Sequence, residues 1–92
     1  MKSDYKTQNR QLAVFKTLAN ANRIKILKAI ITSPTNELNV TSLTELLNLS
    51  APKVSDHLKI MRINKIVQAR QIGSVMMYSI KDQNIPKLLA IK

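Results

Sequence analysis

The stretch from Leu49 to Arg62, LSAPKVSDHLKIMR, constrains the fold more than any other part of the chain. Ser50 is a favourable helix N-cap, because its hydroxyl oxygen can accept from a backbone N–H that the first turn leaves without a partner. Pro52 falls in that first turn, where its missing N–H costs little. Val54, Leu58 and Met61 recur at i, i+4 and i+7, which places them on one buried stripe. The opposite face carries Pro52, Lys53, Asp56, Lys59 and Arg62, a short and mostly cationic surface. Just upstream, Ser42 to Leu49 has the spacing of another helix, with only Asn48–Ser50 left to join the two. Two short helices joined that tightly, the second basic on its outer face, read as a helix-turn-helix. An ordinary amphipathic pair in an all-α core explains this stretch alone equally well, so the rest of the chain has to decide.

Composition narrows the choice. A chain of 92 residues is expected to form a single domain, with no room for a second core. Only Tyr5, Phe15 and Tyr78 are aromatic, so the core must be built from Leu, Ile, Val and Met. A domain this small often gains stability by pairing with a second copy. Lys and Arg number 15 against 5 acidic residues, a net charge of +10, which calls for a polyanionic partner. The plainer alternative is a basic protein kept soluble by its lysines. Without cysteine there is no disulfide, thiolate metal site or thiol switch, and the single His57 is poor material for a metal centre. No cofactor or metal is therefore expected. No apolar run approaches the length needed to span a membrane and the start of the chain is polar, so a cytoplasmic, nucleoid-associated protein is expected.

Along the chain, residues 1–9 are polar and expected to be flexible. Leu12, Phe15, Leu18 and Ala19 mark a first amphipathic helix from Arg10. Asn20 is placed to cap a second over Arg23 to Ile31, with Ile24, Leu27, Ile30 and Ile31 as its buried stripe. Pro34 ends that region. Glu37 to Val40 alternates polar and apolar, enough for one short strand. Ser42-Leu43-Thr44-Glu45 has the form of a capping box, which predicts a third helix from Thr41 or Ser42 with Leu43, Leu46 and Leu47 inside. After the helix of Leu49–Arg62, two β-prone runs, Ile66–Arg70 and Val75–Ile80, flank the only glycine, Gly73, where a hairpin turn needs positive φ. Residues 84–92 form a short last helix, with Asn84 as a possible cap, Pro86 in its first turn, and Ile85, Leu88, Leu89 and Ile91 apolar. The order α-α-β-α-α-β-β-α is a mainly helical winged helix-turn-helix, and the hairpin turns the opening stretch into a recognition helix over about 51–63.

LANANRIKILKAI (18–30), ELNVTSLTELLNLS (37–50), VSDHLKIMR (54–62) and the hairpin IVQARQIGSVMMYSI (66–80) together resemble the ArsR/SmtB family of small dimeric bacterial repressors. Arg23, Leu27, Leu49, Ser50, Val54, Ser55, His57, Leu58, Gly73 and Tyr78 carry the likeness. Where metal-sensing members have a cysteine phrase, this chain has Asn39-Val40-Thr41. Where others place an Asp-x-His near the last helix it has Asp82-Gln83-Asn84, and residues 85–92 hold no His or Glu. Asp82 reads better as a charge at a helix start than as a ligand. The resemblance thus implies fold, dimerisation and DNA binding without the usual metal sensing, and it leaves the effector unknown.

By that resemblance the first and last helices form a homodimer interface, with Leu12, Phe15, Leu88 and Leu89 at its centre and Tyr5 nearby. Some of these must also serve the monomer core. The two-fold then presents recognition helices to successive major grooves of double-stranded DNA, at a near-palindromic operator. Candidate contacts on the recognition helix are Pro52, Lys53, Ser55, Asp56 and Lys59. Lys53 can donate to a guanine or a phosphate. Asp56 can accept from cytosine, although an intrahelical pair with Lys53 or Lys59 is the simpler role. Ser42 and Ser50 cap helices whose N–H groups face phosphates, or cap and nothing more. On the wing, Arg70, Gln71 and Ser74 can reach a minor groove or its phosphates. His57 turns inward as a packing residue with a local hydrogen bond. A promoter-specific repressor is the leading expectation; a winged-helix DNA-binding protein of plasmid, phage or virus replication, or of nucleoid organisation, is the alternative. A winged helix that binds only protein fits the charge poorly. No nucleophile–base pair, carboxylate pair or phosphate loop can be assembled for an enzyme.

Overall fold

A computed structural model describes the backbone of residues 2–90 and the side chains of residues 8–90. The elements run α1 (Lys2–Leu18), α2 (Ala21–Thr32), α3 (Val40–Leu47), α4 (Ala51–Ile63), β1 (Val67–Ile72), β2 (Val75–Ile80) and α5 (Ile85–Leu88). α2 lies at the centre, against α1, α3, α4 and β2. Ile26, Leu27 and Ile30 of α2 are fully buried, while Ile24 and Ile31 are only half-buried, so the expected stripe is rotated to take in Ile26. A helix covered on several sides buries more than one seam, and a stripe drawn for one seam misplaces its edges. Val14, Leu43, Val54, Leu58, Met61, Ile66, Val67 and Ile85 complete the core, which among the described residues contains no aromatic ring. Tyr78 packs against its edge.

α1 starts at Lys2, ahead of the expected Arg10. Its core-facing residues are Val14 and Thr17, with Leu18 packed beside them. Thr17 tolerates burial because its hydroxyl donates to the Ala13 carbonyl one turn back, at 2.8 Å. The Leu12–Phe15 periodicity therefore marks a face the monomer core does not use: the two side chains are 52% and 57% exposed. Asn20 caps α2 as expected, accepting from the N–H groups of Asn22 and Arg23 at 3.0 and 3.2 Å, and this starts the helix at Ala21 rather than Arg23.

The capping box at Ser42 is not used. Asn39 is the cap of α3: its Oδ1 accepts from Ser42 N–H at 2.7 Å, and Ser42 already lies inside the helix. Asn39 has the extended backbone a cap requires, φ −97° and ψ 173°, so the capping site lies three residues earlier than the S-x-x-E pattern puts it. Leu46, expected inside, is 65% exposed, because an eight-residue helix buries one row, here Leu43 with Leu47 at its edge. The strand expected over residues 37–40 reduces to one bridge, Leu38 to Tyr78, closed by N–H···O bonds of 3.1 and 2.9 Å. Early capping by Asn39 turns the backbone into α3 before a second pair can form.

The turn between α3 and α4 is made by Asn48, in the left-handed region at φ 54°, and by Ser50, whose Oγ accepts from Lys53 N–H at 3.4 Å. Val54, Leu58 and Met61 are fully buried, as their spacing predicts. β1 and β2 pair from Val67↔Ile80 to Ile72↔Val75, leaving Gly73-Ser74 as the turn, with Gly73 at φ 61°. Asn84 makes no side-chain cap for α5. Asp82 does that work from two residues upstream, its Oδ1 accepting from Asn84 N–H at 3.0 Å, in keeping with its reading as a helix-start charge. Arg10 of α1 ties the end of α4 to the start of α5: it donates to the carbonyls of Asn64 and Lys65 and to Asp82 Oδ2, the last at 3.0 Å.

Candidate nucleic-acid interface

The outward face of α4 begins at its cap. Ser50, Pro52, Lys53, Ser55, Asp56 and Lys59 are all exposed, because the three-residue stripe below them absorbs the apolar side of the helix. Asp56 forms no ion pair with Lys53 or Lys59; the pairs among the described residues are Arg10–Asp82 and Arg70–Glu37. The intrahelical pair expected for Asp56 is thus not made, since two flexible lysines gain little from fixing themselves to an exposed carboxylate. Ser42 is half-buried within α3 and is not a capping residue that opens toward an anion.

His57 faces inward, as expected, but its partner is distant in sequence. Its Nδ1 accepts from Arg23 Nε of α2 at 3.3 Å, while Arg23 Nη1 donates to the Thr17 carbonyl at the end of α1, at 3.2 Å. One guanidinium therefore links α1, α2 and α4. Burial, then the neighbouring Arg23 cation, hold the imidazole below its usual range; Asp56 opposes this and Lys53 adds to it. Nothing in local spacing pairs Arg23 with His57, so sequence reading missed the contact.

On the wing, Arg70, Gln71 and Ser74 are exposed, but two of them already have partners. Arg70 Nε and Nη2 bind the Glu37 carboxylate in a fork, at 2.6 and 2.7 Å. That hydrogen bonding lowers the Glu37 pKa and raises that of Arg70. Gln71 Nε2 donates to the Gly73 carbonyl at 3.0 Å. Ile72 and Val75, which no pattern singled out, stand 50% and 42% exposed at the tip. Their exposure was hidden because alternation predicts a strand's two faces without saying how far the strand projects beyond the core.

On the other side of the molecule, Leu88 is 51% exposed, beside Phe15 in a groove between α1 and α5 that Arg10, Val14 and Asp82 also line. Leu89 is half-buried against the core. Tyr5 lies outside the described side chains. No group of three or more His, Asp or Glu side chains stands close enough to hold a metal ion among the described residues. Among the described residues, no helix is long and apolar enough to cross a membrane.

The description "Bacterial regulatory protein, arsR family" matches residues 20–68, from the cap of α2 to the first residues of β1 and more than half of the chain. The chain belongs to the ArsR family. The HTH-type transcriptional regulator KmtR of Mycobacterium tuberculosis is 30% identical over 76 residues, covering 83% of this chain and 56% of its own length. The chain thus spans little more than half of that relative. HlyU from Vibrio cholerae superposes with a TM-score of 0.83 at 26% identity, over 92% of this chain and 89% of HlyU. The homodimeric winged helix-turn-helix DNA-binding domain of a possible ArsR-family regulator from Mycobacterium bovis superposes with a TM-score of 0.85 at 22% identity, over 98% and 81%. At that identity the second superposition speaks to the fold alone.

Proposed function

We propose that this chain is a homodimeric, sequence-specific double-stranded DNA-binding regulator, and that it represses by occupying a near-palindromic operator. The observation that carries the reading is the outward face of α4. Six polar or small side chains, led by Lys53, form no ion pair among the described residues and stand at the cap and along the outer face of a helix whose other side is fixed in the core. A net charge of +10 supplies the attraction to phosphate, and family membership supplies the class of protein. KmtR is itself named as a transcriptional regulator, and the M. bovis domain as homodimeric and DNA-binding.

The α1 face of Leu12 and Phe15, continued by Leu88 of α5, is the surface proposed to pair with a second copy. Pairing there sets two α4 helices on one side of the dimer, about one turn of B-DNA apart. Lys53, Ser55 and Asp56 are the proposed base-reading residues, with Ser50, Pro52 and Lys59 against backbone and sugar. The reading places the protein with the nucleoid, in the cytoplasm.

Selection from a random duplex pool, followed by footprinting, tests this. One two-fold-symmetric site is expected, and Lys53→Ala should weaken binding to it by about 1–3 kcal/mol while relaxing one base position. Recovery of dispersed or iterated sites favours the role in replication or nucleoid organisation instead. Failure to bind any duplex at low salt removes the DNA reading altogether.

A further inference from the structure

The wing of this protein departs from the charge of the rest of the chain. In a molecule of net charge +10, residues 71–80 hold no charged side chain at all. The last cation before them, Arg70, is clamped in a fork by Glu37, and the Gln71 amide is turned back onto the Gly73 carbonyl. What the hairpin offers outward at its end is therefore Ile72 and Val75, directly paired across the strands on one face, 50% and 42% exposed, with Ser74 between them. Two β-branched side chains on a two-residue turn form a stiff apolar tip, and the Gln71 bond to Gly73 fixes the turn beneath it.

We infer that this tip is an apolar wedge for the minor groove, with Ile72 as the leading side chain and Val75 as its support. The inference rests on the reading of the chain as a duplex-binding winged helix. Its occupant follows from continuity and charge. α4 passes through Asn64, Lys65 and Ile66 into β1, and β1 packs against α4, so the hairpin stands next to the helix proposed to read the duplex. The cations of α4 hold phosphates nearby, leaving a neutral tip to meet the uncharged floor of the groove. Apolar wedges of this kind partly unstack a base step and kink the duplex, and they select steps that deform easily, chiefly pyrimidine–purine ones. The wing then reads flexibility rather than base edges. It supplies specificity at positions no polar side chain touches, which the clamped Arg70 and Gln71 do not.

The test uses the full chain and the tightest duplex that it selects from a random pool, carrying 2-aminopurine at the steps flanking each half-site and a fluorophore pair at the ends. Wild type should brighten the 2-aminopurine and shorten the end-to-end distance. Ile72→Ser should bind at least tenfold more weakly and lose both signals, with thermal melting of the free protein unchanged. Ile72→Lys should also lose the 2-aminopurine signal. Because it brings a cation to the duplex, it should steepen the slope of log K against log salt by about 0.9. Equal affinity, bend and fluorescence for wild type and Ile72→Ser sink the wedge while leaving the DNA reading intact. A salt slope unmoved by Ile72→Lys puts the tip away from DNA and does the same. Loss of binding to phosphatidylglycerol vesicles, with no change on the duplex, would assign the tip to a lipid surface and overturn the proposal. If wild type selects no duplex, both readings fall together.

Discussion

At the scale of single residues, the backbone of this protein manages with one glycine. Among the described residues Asn36, Asn48, Lys65 and Ala90 also hold positive φ, between 54° and 60°. Asparagine tolerates that region better than most residues, which suits Asn48 to the sharp joint between α3 and α4. At Gly73 a Cβ would meet nothing within 4 Å, so the cost of a side chain there is conformational alone. Gly73→Ala is expected to lose about 1–2 kcal/mol in urea unfolding, and Gly73→Asn less. An alanine variant as stable as wild type would show that the turn relaxes to another type. His57 makes a second prediction. Its folded-state pKa lies below its usual 6.5, so the unfolded chain binds the proton more readily. The stability that neutral His57 contributes is complete above about pH 6.5 and falls away as the pH drops through the depressed folded value. Urea midpoints at pH 7.5 and 5.5 should differ less in His57→Gln than in wild type; equal differences would mean that other groups govern this window.

At the scale of elements, helix starts are the sharpest lesson. Asn20 and Ser50 were legible as caps because each stands where a break between helical periodicities ends, although α2 begins at Ala21 rather than at the expected Arg23. At α3 two candidates compete within four residues, and the S-x-x-E pattern points to the wrong one. Asn39→Ala should therefore cost about 0.5–2 kcal/mol, whereas Ser42→Ala should stay within about 0.5 kcal/mol of wild type. The reverse ranking would restore the capping box. The stripe of α4 was legible in full because one face of that helix meets the core and the other meets solvent. That of α2 was not, because neighbours on several sides blur the periodicity. The strand over residues 37–40 illustrates the same limit: its alternation is real, but it finds one pairing position on β2, through Tyr78.

At the scale of the whole molecule, two of the apolar surfaces that the monomer leaves open have different proposed uses. Phe15 and Leu88 line one groove between α1 and α5, with Leu12 one turn back on α1, and this is the surface proposed to pair with a second copy. Leu12→Asp with Phe15→Asp should shift sedimentation from dimer to monomer at micromolar concentration and weaken operator binding at least tenfold, through loss of the second half-site. A variant that stays dimeric would move the interface elsewhere. α1 is also where Arg10 and, through Thr17, Arg23 attach, so the proposed dimer helix is fastened by hydrogen bonds to the end of α4 at Asn64 and, through Arg23, to its middle at His57. A change at the proposed dimer face therefore has a physical route to α4.

The sequence by itself determined the order of the five helices and the hairpin, the burial of Val54, Leu58 and Met61, the caps at Asn20 and Ser50 and the hairpin turn at Gly73. Each of these follows from interactions within a few residues, or from a periodicity that one buried face enforces. Only the tertiary structure decided that Arg23 binds His57, that Arg10 joins α4 to Asp82, and that Glu37 occupies Arg70 and leaves Ile72 and Val75 to form the tip of the wing. Those contacts join residues 33 to 72 positions apart. Periodicity says which face of an element is wet, but a long side chain chooses its partner only after packing has brought the elements together.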